Sequence, residues 1–137
     1  MHEPDAKNQL IPGTAAHIAS RIQSTLVSNC VTEGRWEQHI YECLKYRFHA
    51  AVIPRAWVKW TSNALQGTGG KVDAWIDLPF DTMTSGGKAN ESAWLVKVGV
   101  EEIDLMLNIG FLLTGMEKDY SKTSLGWSGP RKGFPWK

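Results

Sequence analysis

Cysteine is scarce: Cys30 and Cys43 are the only two in 137 residues. That is too few for a disulfide scaffold and fits a reducing compartment, where a free thiol behaves as a small hydrophobe. An excess of charge is lacking too. Lys and Arg number 15 and Asp and Glu 14, a net charge of +1, which leaves no whole-molecule field to draw the chain onto nucleic acid or a membrane. No apolar run is long enough and free enough of acids to span a bilayer. The start, Met1-His2-Glu3-Pro4-Asp5, lacks the basic-then-apolar order of a secretion signal. These absences point to a cytoplasmic protein. There are no repeats and no heptads, and no catalytic or cofactor signature stands out.

What remains is an ordinary globular composition, 42% apolar and 21% charged, which excludes a collagen-like repeat, a membrane bundle or a disordered tail. A chain of this length encloses one core. The expectation is a single compact domain over 1–137, with 1–13 and 117–137 as extended arms.

Apolar spacing predicts a fold that is α+β and mainly helical. Ile18, Ile22, Leu26 and Cys30 recur every four residues after the capping residue Thr14, and Trp36, Ile40, Leu44 and Phe48 repeat the pattern after Thr32. Together they read as an N-terminal helical hairpin. Pro54 opens a third short helix, 54–66, that Gly67 stops. Val72, Ala74, Ile76 and Leu78 then alternate with Asp73, Trp75 and Asp77, the period of a half-buried strand; a second strand is expected over 93–100, with Trp94, Val96, Val98 and Val100 on one face. The two make a small antiparallel β-hairpin or sheet joined by a long loop, Pro79 to Ser92. Glu101, Glu102 and Asp104 suit a helix N-terminus, and Ile103 to Leu113 is apolar on most sides, so a buried C-terminal helix or a homodimer interface is expected there, followed by a basic aromatic tail.

Two features stand out against this background. Charge is segregated: 45–72 carries five basic residues and no acid, whereas 73–104 carries two basic residues and seven acids. Tryptophan occurs seven times, and this ring anchors both cores and binding surfaces. Trp36 and Trp94 fall on predicted apolar faces and belong to the core. Trp75 falls on the polar face of its strand, and Trp127, Phe134 and Trp136 sit beside Arg131 and Lys132 in the tail. The leading reading is therefore a small non-catalytic binding protein, a regulator, adaptor or inhibitor of the kind phages and mobile elements encode. In it, Trp75, Trp127, Phe134, Trp136, Arg131 and Lys132 occupy the surface of a protein partner.

A second reading is a nucleic-acid-binding protein. Arg55, Lys59 and Asn63 form one stripe of the third helix, with Lys45 and Arg47 nearby, and the tail adds positive charge. A third is a small metal-dependent hydrolase or nuclease drawing on Asp73, Asp77, Glu91 and Lys97, although Asp73 and Asp77 sit roughly 13 Å apart on a strand. His39 and Cys43, with His49 and Cys30, hold metal-ligand residue types without the usual short-spaced pairs. Gly67-Thr68-Gly69-Gly70-Lys71 has the composition of a phosphate cradle but not its spacing. No cofactor and no metal are expected.

Overall fold

The computed structural model of the protein describes residues 12–119 and 121. In chain order the elements are α1 (Ala15–Ala19), β1 (Gln23–Thr25), α2 (Glu33–Tyr46), β2 (Ala50–Ile53), a 3-10 turn (Arg55–Trp57), α3 (Val58–Leu65), β3 (Lys71–Ile76), α4 (Ser85–Lys97), β4 (Glu102–Leu105) and α5 (Ile109–Leu113). The strands form one sheet in the order β1-β2-β3-β4, and every neighbouring pair is parallel. The expected antiparallel hairpin is thus corrected to an all-parallel α/β sheet.

The correction follows from chain geometry. Parallel neighbours cannot be joined by a tight turn; each needs a crossover, usually a helix. Hence α2 links β1 to β2, α3 links β2 to β3, and α4 links β3 to β4. The expected strand 93–100 lies largely in α4, which Thr84 caps by accepting a hydrogen bond from the Gly87 amide. The loop expected over Pro79 to Ser92 ends at that cap. Trp94, expected in the core, is 48% exposed, while Leu95 is buried. At the other end of α4, Gly99 (φ 105) turns the chain into β4 so close to α3 that an added Cβ would collide with Ser62.

The first helix of the expected N-terminal hairpin is replaced by one short helix and a strand, while the second is present as α2. Thr14 does cap α1, accepting from the His17 amide, but Gln23–Thr25 pairs with Ala50, Ala51 and Val52. Thr32 caps α2 as its position predicts. That helix ends at Arg47, whose left-handed backbone (φ 53) releases the chain into β2. β2 is buried at all four residues, the unbroken apolar run of a strand covered on both faces. The expected buried C-terminal helix is replaced by β4 and the short α5, which has no buried residue.

Sequential strand order and right-handed crossovers put α2, α3 and α4 on one face. Ala51 and Ile53 of β2, Val72, Ala74 and Ile76 of β3, and Ile103 and Leu105 of β4 meet Ile40, Cys43, Val58, Leu65 and Leu95 from the helices. Trp36 stacks on Trp57 with ring centroids 5.5 Å apart and donates to Thr61 Oγ1 at 2.7 Å, pinning α2 to α3. By alternation, the other face carries Gln23, Thr25, Ala50, Val52, Lys71, Asp73, Trp75, Glu102 and Asp104. Four parallel strands in sequential order, with their crossover helices α2, α3 and α4 on one face, have the arrangement of part of a parallel α/β barrel wall.

Candidate active site

The polar face is built by strand register. Asp73 pairs with Glu102 and Trp75 with Asp104 across β3 and β4, so two acids from β4 stand beside one acid and one indole from β3. Toward the N-terminal ends of the strands, Glu102 is the hub. Its Oε1 lies 2.7 Å from His49 Nε2 and accepts from Lys71 Nζ at 2.7 Å. The Gln23 amide donates to Glu102 Oε2 at 3.0 Å and to Asp73 Oδ2 at 2.7 Å. Burial alone would raise the Glu102 pKa, but the hydrogen bonds from Lys71 and His49 outweigh it and hold the carboxyl below its usual range.

Asp73 behaves in the opposite way. It is fully buried, and its Oδ1 has no hydrogen-bond partner among the described residues. Burial first, then the charges of Asp104 and Glu102, push its pKa up to about 7. Asp104 is also raised, by the partial cover of this face and by Glu102, yet it reaches solvent. Neighbouring carboxyls are thus driven apart, one held ionised and two held toward the neutral acid. Such a division lets side chains of one residue type take different acid–base roles.

Beyond Asp104, at the C-terminal ends of the strands, the rim is made by loops. The Arg55 guanidinium lies 5.8 Å from the centre of the Trp75 ring, with Arg55 Nε 3.6 Å from Glu91. The Trp75 indole N–H is buried and unpaired among the described residues. After β3, Asp77 accepts from the amides of Thr82 at 2.9 Å and Met83 at 2.8 Å. Burial opposes ionisation of Asp77, but these amides and Lys88 prevail and its pKa is lowered.

Several expected sites are not assembled. Asp73 lies on the polar face, Asp77 in the loop against Lys88, and Glu91 on α4 against Arg55, so the hydrolase set is dispersed. Among the described residues no group of three or more His, Cys, Asp or Glu is placed to hold a metal ion. His39 and Cys43 touch at 3.8 Å inside the core; burial lowers the imidazole pKa and raises that of the thiol, which disfavours a thiolate–imidazolium pair. Cys30 is exposed, and His49 belongs to Glu102. Lys59 and Asn63 are exposed on α3, and Lys45 lies over the Tyr41 and Tyr46 rings. Trp127, Phe134, Trp136, Arg131 and Lys132 lie outside the described residues. The sequence reading missed Gln23, Lys71, Glu102, Asp104 and Lys88. Alternation of Glu102 and Asp104 with Ile103 and Leu105 repeats that of Asp73 and Trp75 with Ala74 and Ile76, and this was the available signal.

The fold is that of part of a parallel α/β barrel wall carrying paired carboxyls on its polar face, and the likeness to known proteins is more specific. No family model matches the chain. It is 32% identical over 99 residues, 72% of its length, to the deoxyribose-phosphate aldolase of Streptococcus equi subsp. zooepidemicus. It is 29% identical over 102 residues to the enzyme of that name from Carboxydothermus hydrogenoformans. Each match covers 45% of the relative, so the chain spans about half the length of the curated relatives it matches. Among solved structures it resembles a protein from Coccidioides immitis designated a candidate deoxyribose-phosphate aldolase, with a TM-score of 0.77 and 22% identity over 82% of this chain and 46% of that one. It also resembles the tetrameric deoxyribose phosphate aldolase of Aeropyrum pernix, with a TM-score of 0.67 and 24% identity over 90% of this chain and 57% of that one. These likenesses overturn the reading of a non-catalytic regulator, adaptor or inhibitor, with its phage-type origin and its protein partner, because the relatives are enzymes.

Proposed function

We propose that this chain forms four strands of an aldolase barrel and supplies acid–base groups for reversible carbon–carbon cleavage of a deoxyribose-phosphate. The observation that carries the reading is Asp104: a solvent-reaching carboxyl on the polar face, near the C-terminal end of its strand, with a raised pKa. In barrel enzymes that end of the strands bears the chemistry, whereas the opposite end serves stability. The hub of His49, Lys71, Gln23 and Glu102 fits the second role.

Aldol cleavage needs a base to take the proton from the hydroxyl on the carbon that becomes the new carbonyl. The electrons of the breaking carbon–carbon bond pass to the neighbouring carbon of the other fragment, which a proton then quenches. One carboxyl that alternates between base and acid serves both transfers if its pKa lies close to working pH, and this favours Asp104 over a fully ionised acid. Partial burial and then the charge of Glu102 raise the Asp104 pKa in that direction, and the buried Asp73 keeps the face from filling with negative charge. The tetrameric neighbour supports a homo-oligomer, and a cytoplasmic location fits the same reading. No helix among the described residues is long and apolar enough to cross a membrane.

The test is release of an aldehyde from a deoxyribose-phosphate by the protein and by its Asp104→Asn variant. A loss of about 100- to 1,000-fold in kcat, with an unchanged melting temperature, is expected for a removed acid–base group. No turnover by the unaltered protein, or full activity of D104N, overturns the proposal.

A further inference from the structure

Lys88, on α4, is the largest fully buried side chain among the described residues. A buried ammonium is costly unless it is paired and hydrogen-bonded, and here every partner comes from a loop at the C-terminal end of the sheet. Nζ donates to the Met106 carbonyl at 2.6 Å, pairs with Asp81 Oδ1 and lies 3.5 Å from Asp77 Oδ2. Asp77 and Asp81 belong to the loop after β3, and Met106 follows β4. One ammonium thus joins two loops that have no backbone hydrogen bond to each other among the described residues.

The two loops are shaped around it. Asp77 (φ 63) and Asp81 (φ 52) are both left-handed, a backbone that residues other than glycine adopt at a cost. The Asp81 amide closes the turn on the Asp77 carbonyl at 3.0 Å, which directs both carboxylates inward. On the other side, the Met106 amide donates to the Ile76 carbonyl at 3.2 Å. Lys88 therefore takes over where the β3–β4 ladder stops. The stretch it holds runs from Asp104, two residues upstream, to Asn108, whose side chain caps α5 by accepting from the Phe111 amide at 2.8 Å.

We propose that Lys88 is a positioning residue: it ties the loop after β3 to the loop after β4 and so fixes the rim on which Asp104 acts. The proposal rests on the aldolase reading for its functional consequence, but the tie itself is measurable without turnover. An apolar side chain would fill the same space; only a multiple donor bonds a carboxylate of one loop and a carbonyl of the other.

The experiment compares Lys88→Met with the double variant Lys88→Met/Asp81→Asn in the intact protein, reading melting temperature, amide hydrogen exchange and kinetics with a deoxyribose-phosphate. The single variant leaves buried carboxylates without their cation and loses stability. The double variant removes one of those charges and regains much of the melting temperature without restoring the bond to Met106. It is expected to show exchange about tenfold faster at 105–108 with β2 unchanged, and a kcat about tenfold lower with KM within twofold, the mark of misplacement rather than lost binding. Unchanged exchange at 105–108 in the double variant overturns the tie. Faster exchange with an unchanged kcat overturns the positioning role. If even the unaltered protein shows no turnover, the aldolase reading falls and the exchange measurement alone decides the tie.

Discussion

Adjacent residues of β3 live in opposite environments. Val72, Ala74 and Ile76 pack against α2, α3 and α4, whereas Lys71, Asp73 and Trp75 face away from the helices. The first set is interchangeable in chemistry and constrained in volume. The second is constrained in chemistry, because each polar group on it is set by a neighbour across the register: Asp73 by Gln23, Glu102 by His49 and Lys71, and Asp104 by Glu102. The helix-covered face decides whether the chain folds, and the polar face decides what the folded chain does.

The comparison is broken most severely by moving a charge from one face to the other. Ala74→Asp puts a carboxylate beside Asp73 but on the helix side, where no donor awaits it; a loss of about 4 kcal/mol or more is expected, read as a collapsed urea midpoint or absent folding by circular dichroism. A midpoint close to that of the unaltered protein would show that the two faces are less distinct than their packing implies.

Asp73 sharpens the comparison through pH. Its pKa is raised to about 7 in the folded chain against an ordinary unfolded value near 3.9, so the folded state binds the extra proton between those limits. Its contribution is complete below the unfolded value and is lost as pH rises through about 7, on the order of a few kcal/mol. Glu102 and Asp77, with lowered pKa values, act in the opposite sense and are lost as pH falls through those lowered values. Asp73→Asn is therefore expected to be more stable than the unaltered protein above pH 7 and to lose the advantage by pH 4. Equal denaturation midpoints at pH 4 and pH 8 would sink this account.

Glu102→Gln is a smaller change of the same kind. It alters the hydrogen bond with His49 and removes the ion pair with Lys71, for about 1 to 3 kcal/mol, and lifts a negative charge from Asp104. The acidic limb of any activity then moves to lower pH. An unmoved limb would show that Glu102 does not set the Asp104 carboxyl. Smallest of all, Lys59→Ala on the exposed side of α3 is expected to stay within about 0.5 kcal/mol and to leave turnover intact, since Lys59 touches neither face of the sheet.

Much of the local structure was legible. Thr14 and Thr32 cap helices because a side-chain oxygen can accept a free amide at a helix start, and α2 and β3 carry the periodicities their residues announce. The failures share one cause. Ala50–Ile53 is buried throughout and has no alternation to read. Val96, Val98 and Val100 alternate by coincidence across the end of a helix. Glu102 and Asp104 resemble the acidic first turn of a helix as closely as the polar edge of a strand. In each case local pattern admits two structures, and the choice depends on what the segment pairs with.

For the site, sequence picked out Asp73 and Trp75 as polar-face residues of a strand and assigned them to the wrong company. Asp77 and Glu91, close in sequence, turn to Lys88 and Arg55. Gln23 and Glu102, far away in sequence, complete the environment of Asp73. By itself the sequence determined the helix caps, the composition of one globular core and the alternation of β3, because these depend on residues within a turn or two of one another. Tertiary structure alone decided that the strands are parallel, that α4 replaces a strand, and that Asp104 shares a face with Asp73, because strand register joins residues about thirty positions apart and their pKa values are set by the charges and burial that register brings.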